Sequence, residues 1–302
     1  MPFLKSVSLP SPVSEALAEP VSPVMRWFDG ADGVRLAATI HGPDRGTPVL
    51  LLGGMGQTRH AWDRVARRIA ETGRRAITLD FRGHGDSDRA PDGDYSYPRQ
   101  CADIAAVTSA VGRPVVLVGA SFGGKIGLAA GALNGPDCLA ALVSVDAVPR
   151  TNPGALKAIQ PTLAAGQDGY ATLEEAAADI ACTRGQEAAP GAGEKLRRNM
   201  RLGKDGRWHW HWDQSYSDPR HKIGLGPGTE WLDSVVPQIT VPVLLARCEL
   251  SDIVTDEAVA DLQARIPHME IALVRGARHM LAGDDNEVFA EVLLEWLART
   301  PV

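Results

Sequence analysis

The run Val115-Val116-Leu117-Val118 stops abruptly at Gly119-Ala120-Ser121-Phe122-Gly123-Gly124. Apolar, largely β-branched and without polar alternation, the run has the pattern of a strand buried on both faces of a parallel sheet. Glycines two before and two after the serine let the chain turn sharply where a Cβ would strike neighbouring backbone, so the serine is lifted clear of the sheet. The following Lys125-Ile126-Gly127-Leu128-Ala129-Ala130 is mostly small and apolar, which suits a helix packed closely on strands. Its first turn directs unpaired N–H groups toward Ser121. A strand, a tight turn and a helix within about 20 residues therefore predict an α/β sheet with a nucleophile at one rim.

The rest of the chain keeps this rhythm on both sides of one interruption. Met25–Phe28 and Val34–Ile40 flank Ala31-Asp32-Gly33 and read as an opening antiparallel hairpin. Pro48–Leu52 and Arg75–Leu79 are further apolar strands. Between them Trp62, Val65, Ala66 and Ile69 mark one face of an amphipathic helix. A helix from Ile104 to Val111 leads into the strand before Ser121, and Leu139–Val145 is the next strand, ending at Asp146. From about Val148 to Val236 no buried strand pattern is visible. Thr172-x-x-Glu175 opens a helix to about Ala181, and a second helix is expected from Gly193 to Leu202, stopped by Gly203. Strands return at Pro242–Ala246 and Ile271–Val274, followed by a last helix with Val288, Phe289, Val292, Leu293, Trp296 and Leu297 on one face. The expected organisation is a flexible arm over 1–23, an α/β core over 24–147 and 237–302, and a helical cap over 148–236.

A serine hydroxyl needs a histidine within hydrogen-bond reach, and the histidine needs a carboxylate to hold its tautomer. The carboxyl ends of parallel strands open on one edge, so the partners are sought just past the later strands. There stand Arg247-Cys248-Glu249-Leu250-Ser251-Asp252 and Arg275-Gly276-Ala277-Arg278-His279. With Ser121 these give the order serine, acid, histidine, and the whole from Met25 to Leu297 outside the insertion resembles the α/β-hydrolase family. The resemblance implies Ser121 as nucleophile, His279 as base and Asp252 as acid, with Asp146, also at a strand end, as the rival acid. It implies an oxyanion hole from the backbone N–H groups of Met55 and Phe122. Gly53 stands where a histidine usually begins that loop, which bears on the loop's rigidity. Arg82-Gly83-His84-Gly85-Asp86-Ser87 also resembles the family and reads as a structural turn.

Gly54, Trp210 and Met280 are the candidates for the substrate pocket. In Trp208-His209-Trp210-His211-Trp212-Asp213, an extended backbone sets three tryptophans on one face and His209, His211 and Asp213 on the other. Packing of the cap, a pocket wall and a metal site are the three readings of this run, and packing is preferred because no second cluster completes a metal site. The resemblance implies a serine hydrolase acting on a small-molecule carboxylic ester or lactone, without metal or organic cofactor. Carbon–carbon bond hydrolases, cofactor-free perhydrolases and ligand receptors share the fold. A histidine base implies activity rising through its ordinary pKa of about 6.5. A net charge of -6 with mixed signs argues against nucleic acid or an anionic membrane as partner, while a homodimer is compatible with the chain. Four scattered cysteines without a C-x-x-C pair, and no apolar stretch of membrane length or signal-peptide form, point to a cytoplasmic protein.

Overall fold

The computed structural model describes residues 22–183, 185–217, 228–279 and 287–302. Ten strands are placed: β1 (Val24–Asp29), β2 (Arg35–His41), β3 (Val49–Leu52), β4 (Ala76–Leu79), β5 (Val115–Ala120), β6 (Leu139–Val145), β7 (Met200–Leu202), β8 (Trp208–Trp210), β9 (Val243–Cys248) and β10 (Glu270–Val274). The helices are α1 (Asp63–Glu71), α2 (Tyr97–Val111), α3 (Phe122–Leu133), α4 (Gly135–Cys138), α5 (Pro153–Ala164), α6 (Leu173–Thr183), α7 (Ala192–Leu196), α8 (Gly228–Val235), α9 (Asp256–Arg265) and α10 (Glu287–Arg299). Eight strands form one sheet in the order β1-β2-β4-β3-β5-β6-β9-β10. The β1–β2 and β2–β4 pairs are antiparallel, and every pair from β4 to β10 is parallel. This is an α/β-hydrolase fold.

Alternation of side chains sorts the core into two layers. Val49 and Leu51 of β3, with Val116 and Val118 of β5, face α1 and α10, where Trp62 just before α1, Ile69 of α1 and Phe289, Leu293 and Trp296 of α10 fill that side. Leu50, Leu52 and Leu117 face the opposite layer with Ile104 of α2, Ile126 of α3 and Leu262 of α9. Each fully buried aliphatic side chain here stabilises the fold by about 1.5–3 kcal/mol. The final helix is rotated slightly from its expected face, leaving Val288 exposed.

The pairing register aligns the carboxyl ends. Leu52 lies opposite Gly119, Ala120 opposite Val145, Val145 opposite Ala246 and Cys248 opposite Val274. The segments that follow these strands therefore emerge along one rim, where Ser121, Asp146 and His279 all lie.

The segment between β6 and β9 departs from the expected helical form. The helix at Thr172 is present, its N-terminal amide capped by the Thr172 hydroxyl at 3.0 Å from Glu175 N. The helix expected over Gly193–Leu202 ends at Leu196 and passes through a 3-10 turn into β7. There Met200 pairs with Trp210 and Leu202 with Trp208, antiparallel, and Tyr170 extends the pairing by a bridge to Trp208. Strand pairing wins locally because it satisfies backbone groups beside an aromatic cluster, which a further helical turn leaves uncovered. Residues 1–21 of the expected arm lie outside the described residues. Among the described residues, no helix is long and apolar enough to cross a membrane.

Candidate active site

Ser121 sits between β5 and α3 with φ +51° and ψ −114°, a backbone conformation that costs energy and marks positions held by their surroundings. The flanking glycines are required by close approach. A Cβ on Gly119 would lie 2.2 Å from the Gly123 carbonyl oxygen, and one on Gly123 would lie 2.4 Å from that of Gly53. The amide of Ser121 donates to the Val145 carbonyl at 3.0 Å, which ties the turn to the end of β6.

His279 Nε2 lies 2.9 Å from Ser121 Oγ, and His279 Nδ1 lies 2.7 Å from Asp146 Oδ2. An ionised carboxylate only accepts, so Nδ1 carries the proton and the Nε2 lone pair faces the serine hydroxyl. Asp146 is buried and also accepts from Ser251 Oγ at 2.6 Å and from the Cys248 amide at 3.1 Å. These donors fix its orientation.

The partner of His279 is thus Asp146, not Asp252. Asp146 follows directly on β6, the strand beside β5, and its amide donates to the Ala246 carbonyl at 2.8 Å. Its φ of +47° turns the side chain toward the histidine. The turn after β9 instead presents Ser251 to the carboxylate, while the backbone carbonyl of Asp252 accepts from Asn152 Nδ2 at 3.0 Å. Ser251 is a site residue that the sequence left unmarked. Its only signal is its place one residue before Asp252.

The loop Gly53–Gln57 is braced by two bonds within it and by one to His84. The Gly54 amide donates to Gln57 Oε1 at 2.7 Å, the Gly56 amide to His84 Nε2 at 3.1 Å, and the Gln57 amide to the Gly54 carbonyl at 3.1 Å. Of the four amides from Gly54 to Gln57, Met55's is the one these bonds leave over. Phe122 N–H, at the first position of α3, has no intrahelical acceptor by geometry. A Cβ on Gly54 would lie 3.4 Å from Ser121 Cβ, so this glycine adjoins the serine. His84, expected in a purely structural turn, in fact supports this loop. The rest of its motif does brace the turn: Ser87 Oγ donates to the Asp80 carbonyl at 2.5 Å, and Arg82 pairs with Asp103 at 2.6 and 2.7 Å.

A family model described as the alpha/beta hydrolase fold matches residues 47–179. Esterase Rv0045c of Mycobacterium tuberculosis is 31% identical over 260 residues, which are 81% of this chain and 80% of that protein. The chain belongs to the α/β-hydrolase family. This α/β-hydrolase is also 27% identical, over 72% of its length and 75% of the other's, to 2-(acetamidomethylene)succinate hydrolase of Mesorhizobium japonicum. Its fold superimposes on a crystal structure of E-2-(acetamidomethylene)succinate hydrolase with a TM-score of 0.76 at 22% identity, covering 91% of this chain and 99% of that one. Kinship therefore makes the chain a hydrolase with an esterase among its relatives.

The tryptophan run of this α/β-hydrolase is extended only through β8. His209 Nε2 lies 2.9 Å from Asp205 Oδ2, His211 bonds Gly85 and Gly56, and Asp213 accepts from Tyr95 OH at 2.6 Å. The three polar side chains thus diverge, and among the described residues no group of three or more His, Cys, Asp or Glu is placed to hold a metal ion. Trp210 donates Nε1–H to the Ala165 carbonyl at 2.9 Å. It lines a cavity of about 510 Å³ whose walls include Arg89, Arg201 and His209 but none of Ser121, Asp146 and His279. Trp212 is buried and lies stacked near His84, ring centroids 6.3 Å apart, which is the packing role. Met280 lies outside the described residues.

Burial lowers the pKa of His41, His84 and His211, while the hydrogen bond that His60 donates to the Asp63 carboxylate raises that of His60. A lowered folded-state pKa means that the unfolded chain binds protons first as pH falls through about 6.5, so stability rises with pH in that window. The three lowered groups outweigh the one raised. The melting temperature is expected to fall steadily from about pH 7 to 5.5. A melting temperature that climbs over that interval contradicts these protonation states.

Proposed function

We propose that this protein hydrolyses carboxylic esters, lactones among them, through an acyl-enzyme on Ser121. The observation that carries the reading is the continuous line from Ser121 Oγ through His279 to Asp146, at 2.9 and 2.7 Å. Ser121 Oγ attacks the carbonyl carbon while its proton passes to His279 Nε2, and the carbonyl electron pair becomes an oxyanion facing the Met55 and Phe122 amides. As the intermediate collapses, the leaving alkoxide takes that proton. Water then repeats the sequence: its proton goes to Nε2, its oxygen bonds the acyl carbon, and the Ser121 oxygen departs with the proton returned.

Asp146 acts by holding the Nδ1–H tautomer and by stabilising the imidazolium that forms in each step. The residues that supply nucleophile, base, acid and oxyanion donors are all side chains or amides of the protein, so the scheme needs no added cofactor. The esterase relative, at 31% identity over most of both chains, supports ester chemistry over the other reactions of the fold. The inserted segment, which lies over the β4–α2 loop through the Asp213 amide and the Gly83 carbonyl at 2.8 Å, serves as the cap that shapes the acyl pocket.

The test is a panel of aryl esters and lactones of graded acyl size, assayed with wild type and Ser121→Ala. The variant is expected to lose about 10⁴-fold or more in kcat on every substrate that wild type turns over. Equal rates for the two proteins, or no turnover of any ester or lactone by wild type, would overturn the reading.

A further inference from the structure

We propose that His211, carried by the inserted segment, is the positioning residue that completes the oxyanion loop, so that the insertion is part of the catalytic machinery as well as a cover. The inference rests on the ester-hydrolase reading for its catalytic consequence, but its structural half stands apart from it.

Gly56 is gripped on both of its peptide groups. Its amide donates to His84 Nε2 at 3.1 Å, and its carbonyl accepts from His211 Nε2 at 2.9 Å. The other nitrogen of His211, Nδ1, accepts from the Gly85 amide at 2.9 Å. A backbone amide can only donate and a carbonyl can only accept, so one species satisfies both bonds: neutral imidazole with its proton on Nε2. His211 is buried, where a polar group left without its bond is costly because no water replaces the partner. His84 comes from the loop after β4 and His211 from the segment between β6 and β9. The peptide next to Met55 is thus clamped by two imidazoles from different parts of the chain.

The clamp has its own supports. The His211 amide donates to the Asn199 carbonyl at 3.1 Å, and Arg201 Nη2 bonds Asp86 Oδ1 at 2.6 Å. Trp212 packs beside Gly56, where a Cβ would meet its indole at 3.6 Å. These contacts dock the β7–β8 hairpin on the Arg82–Ser87 turn. Through the His211 side chain that docking reaches the backbone of the loop holding Met55. Rigidity that a side chain at Gly53 does not provide is supplied from 158 residues downstream, the interval between Gly53 and His211.

The test uses His211→Phe, which keeps a ring and removes both bonds, and His211→Gln, which retains one donor and one acceptor. Amide exchange and imidazole nitrogen NMR are measured on both variants and on wild type, together with kcat and KM for an aryl acetate. In wild type, His211 is expected as the neutral Nε2–H tautomer with slow exchange at Gly56 and Gly85. In His211→Phe, exchange of the Gly54–Gln57 amides is expected to quicken about tenfold or more, with kcat reduced about 10²-fold and KM within about twofold. His211→Gln is expected to recover most of the lost kcat. Unchanged exchange over Gly54–Gln57 in a folded His211→Phe protein overturns the proposal, as does quickened exchange with undiminished kcat. Should His211→Phe not fold, the wild-type spectra and His211→Gln decide it: an Nδ1–H tautomer or a fast Gly85 amide overturns it. Should wild type turn over no ester, the hydrolase reading fails, while exchange and tautomer still decide whether His211 holds the loop.

Discussion

Asp146→Asn is expected to lower kcat about 10⁴-fold, whereas Asp252→Asn leaves it within about twofold. Asparagine keeps the size of the side chain and its ability to accept from the Cys248 amide. Its NH₂ group, however, invites His279 Nδ1 to become an acceptor, which moves the imidazole proton to Nε2, facing Ser121. The base is then in the wrong tautomer, and no carboxylate stabilises the imidazolium. Because the loss arises in the chemical steps, KM for a small ester is expected to change little. Ser251→Ala, which removes the 2.6 Å bond to Asp146 Oδ2, gives a milder loss of about tenfold from a less firmly held carboxylate. Activity that survives Asp146→Asn and disappears in Asp252→Asn would require a different arrangement of the β9–α9 turn.

The second large effect is on stability and concerns Arg82. Its guanidinium is fully buried, bonded to Asp103 through Nε at 2.6 Å and Nη2 at 2.7 Å, with a weaker bond to the Ala31 carbonyl at 3.3 Å. Asp103 in turn accepts the Ala31 amide at 2.8 Å. The pair therefore fastens the β1–β2 turn, α2 and the turn after β4 to one another. Arg82→Met leaves a carboxylate buried without its counter-charge and is expected to destabilise by about 3–5 kcal/mol in urea unfolding. Adding Asp103→Asn removes the stranded charge and keeps an acceptor for Ala31. The double variant is expected to regain more than half of the loss, since the desolvation of two ions is then no longer imposed. A loss below about 1 kcal/mol for Arg82→Met would mean that water reaches this pair.

What the sequence made legible follows from how local each signal is. The strands of the main sheet appear as short β-branched apolar runs because both of their faces are buried, and Leu50, Leu117 and Leu142 are indeed fully enclosed. Ser121 is marked by glycines whose absence of a side chain is enforced within five residues. His279 is found because β10 lies at the sheet edge and its following turn has one histidine. The choice between Asp146 and Asp252 depends instead on strand order, with β6 lying between β5 and β9, and on a turn that presents Ser251 instead of its neighbour. Neither is written in local pattern.

The insertion was harder to read for a related reason. Strands of three residues, such as β7 and β8, carry too few positions for alternation to show, and Arg201 and Leu202 remain exposed. Helical composition upstream of Met200 gave a local preference that pairing with Trp208–Trp210 overrides. The braces on the Met55 loop were invisible for the plainest reason: His84 and His211 meet Gly56 across 28 and 155 residues of chain.

The most direct measurement is rapid acid quenching of the protein during turnover of an aryl ester, followed by mass analysis of the peptide that contains Ser121. The expected result is a burst of phenol near one equivalent of enzyme and an acyl group on Ser121 that accumulates in wild type and is absent from Ser121→Ala. Turnover without any acyl group on Ser121, or acylation at another residue with Ser121→Ala still fully active, would contradict the account.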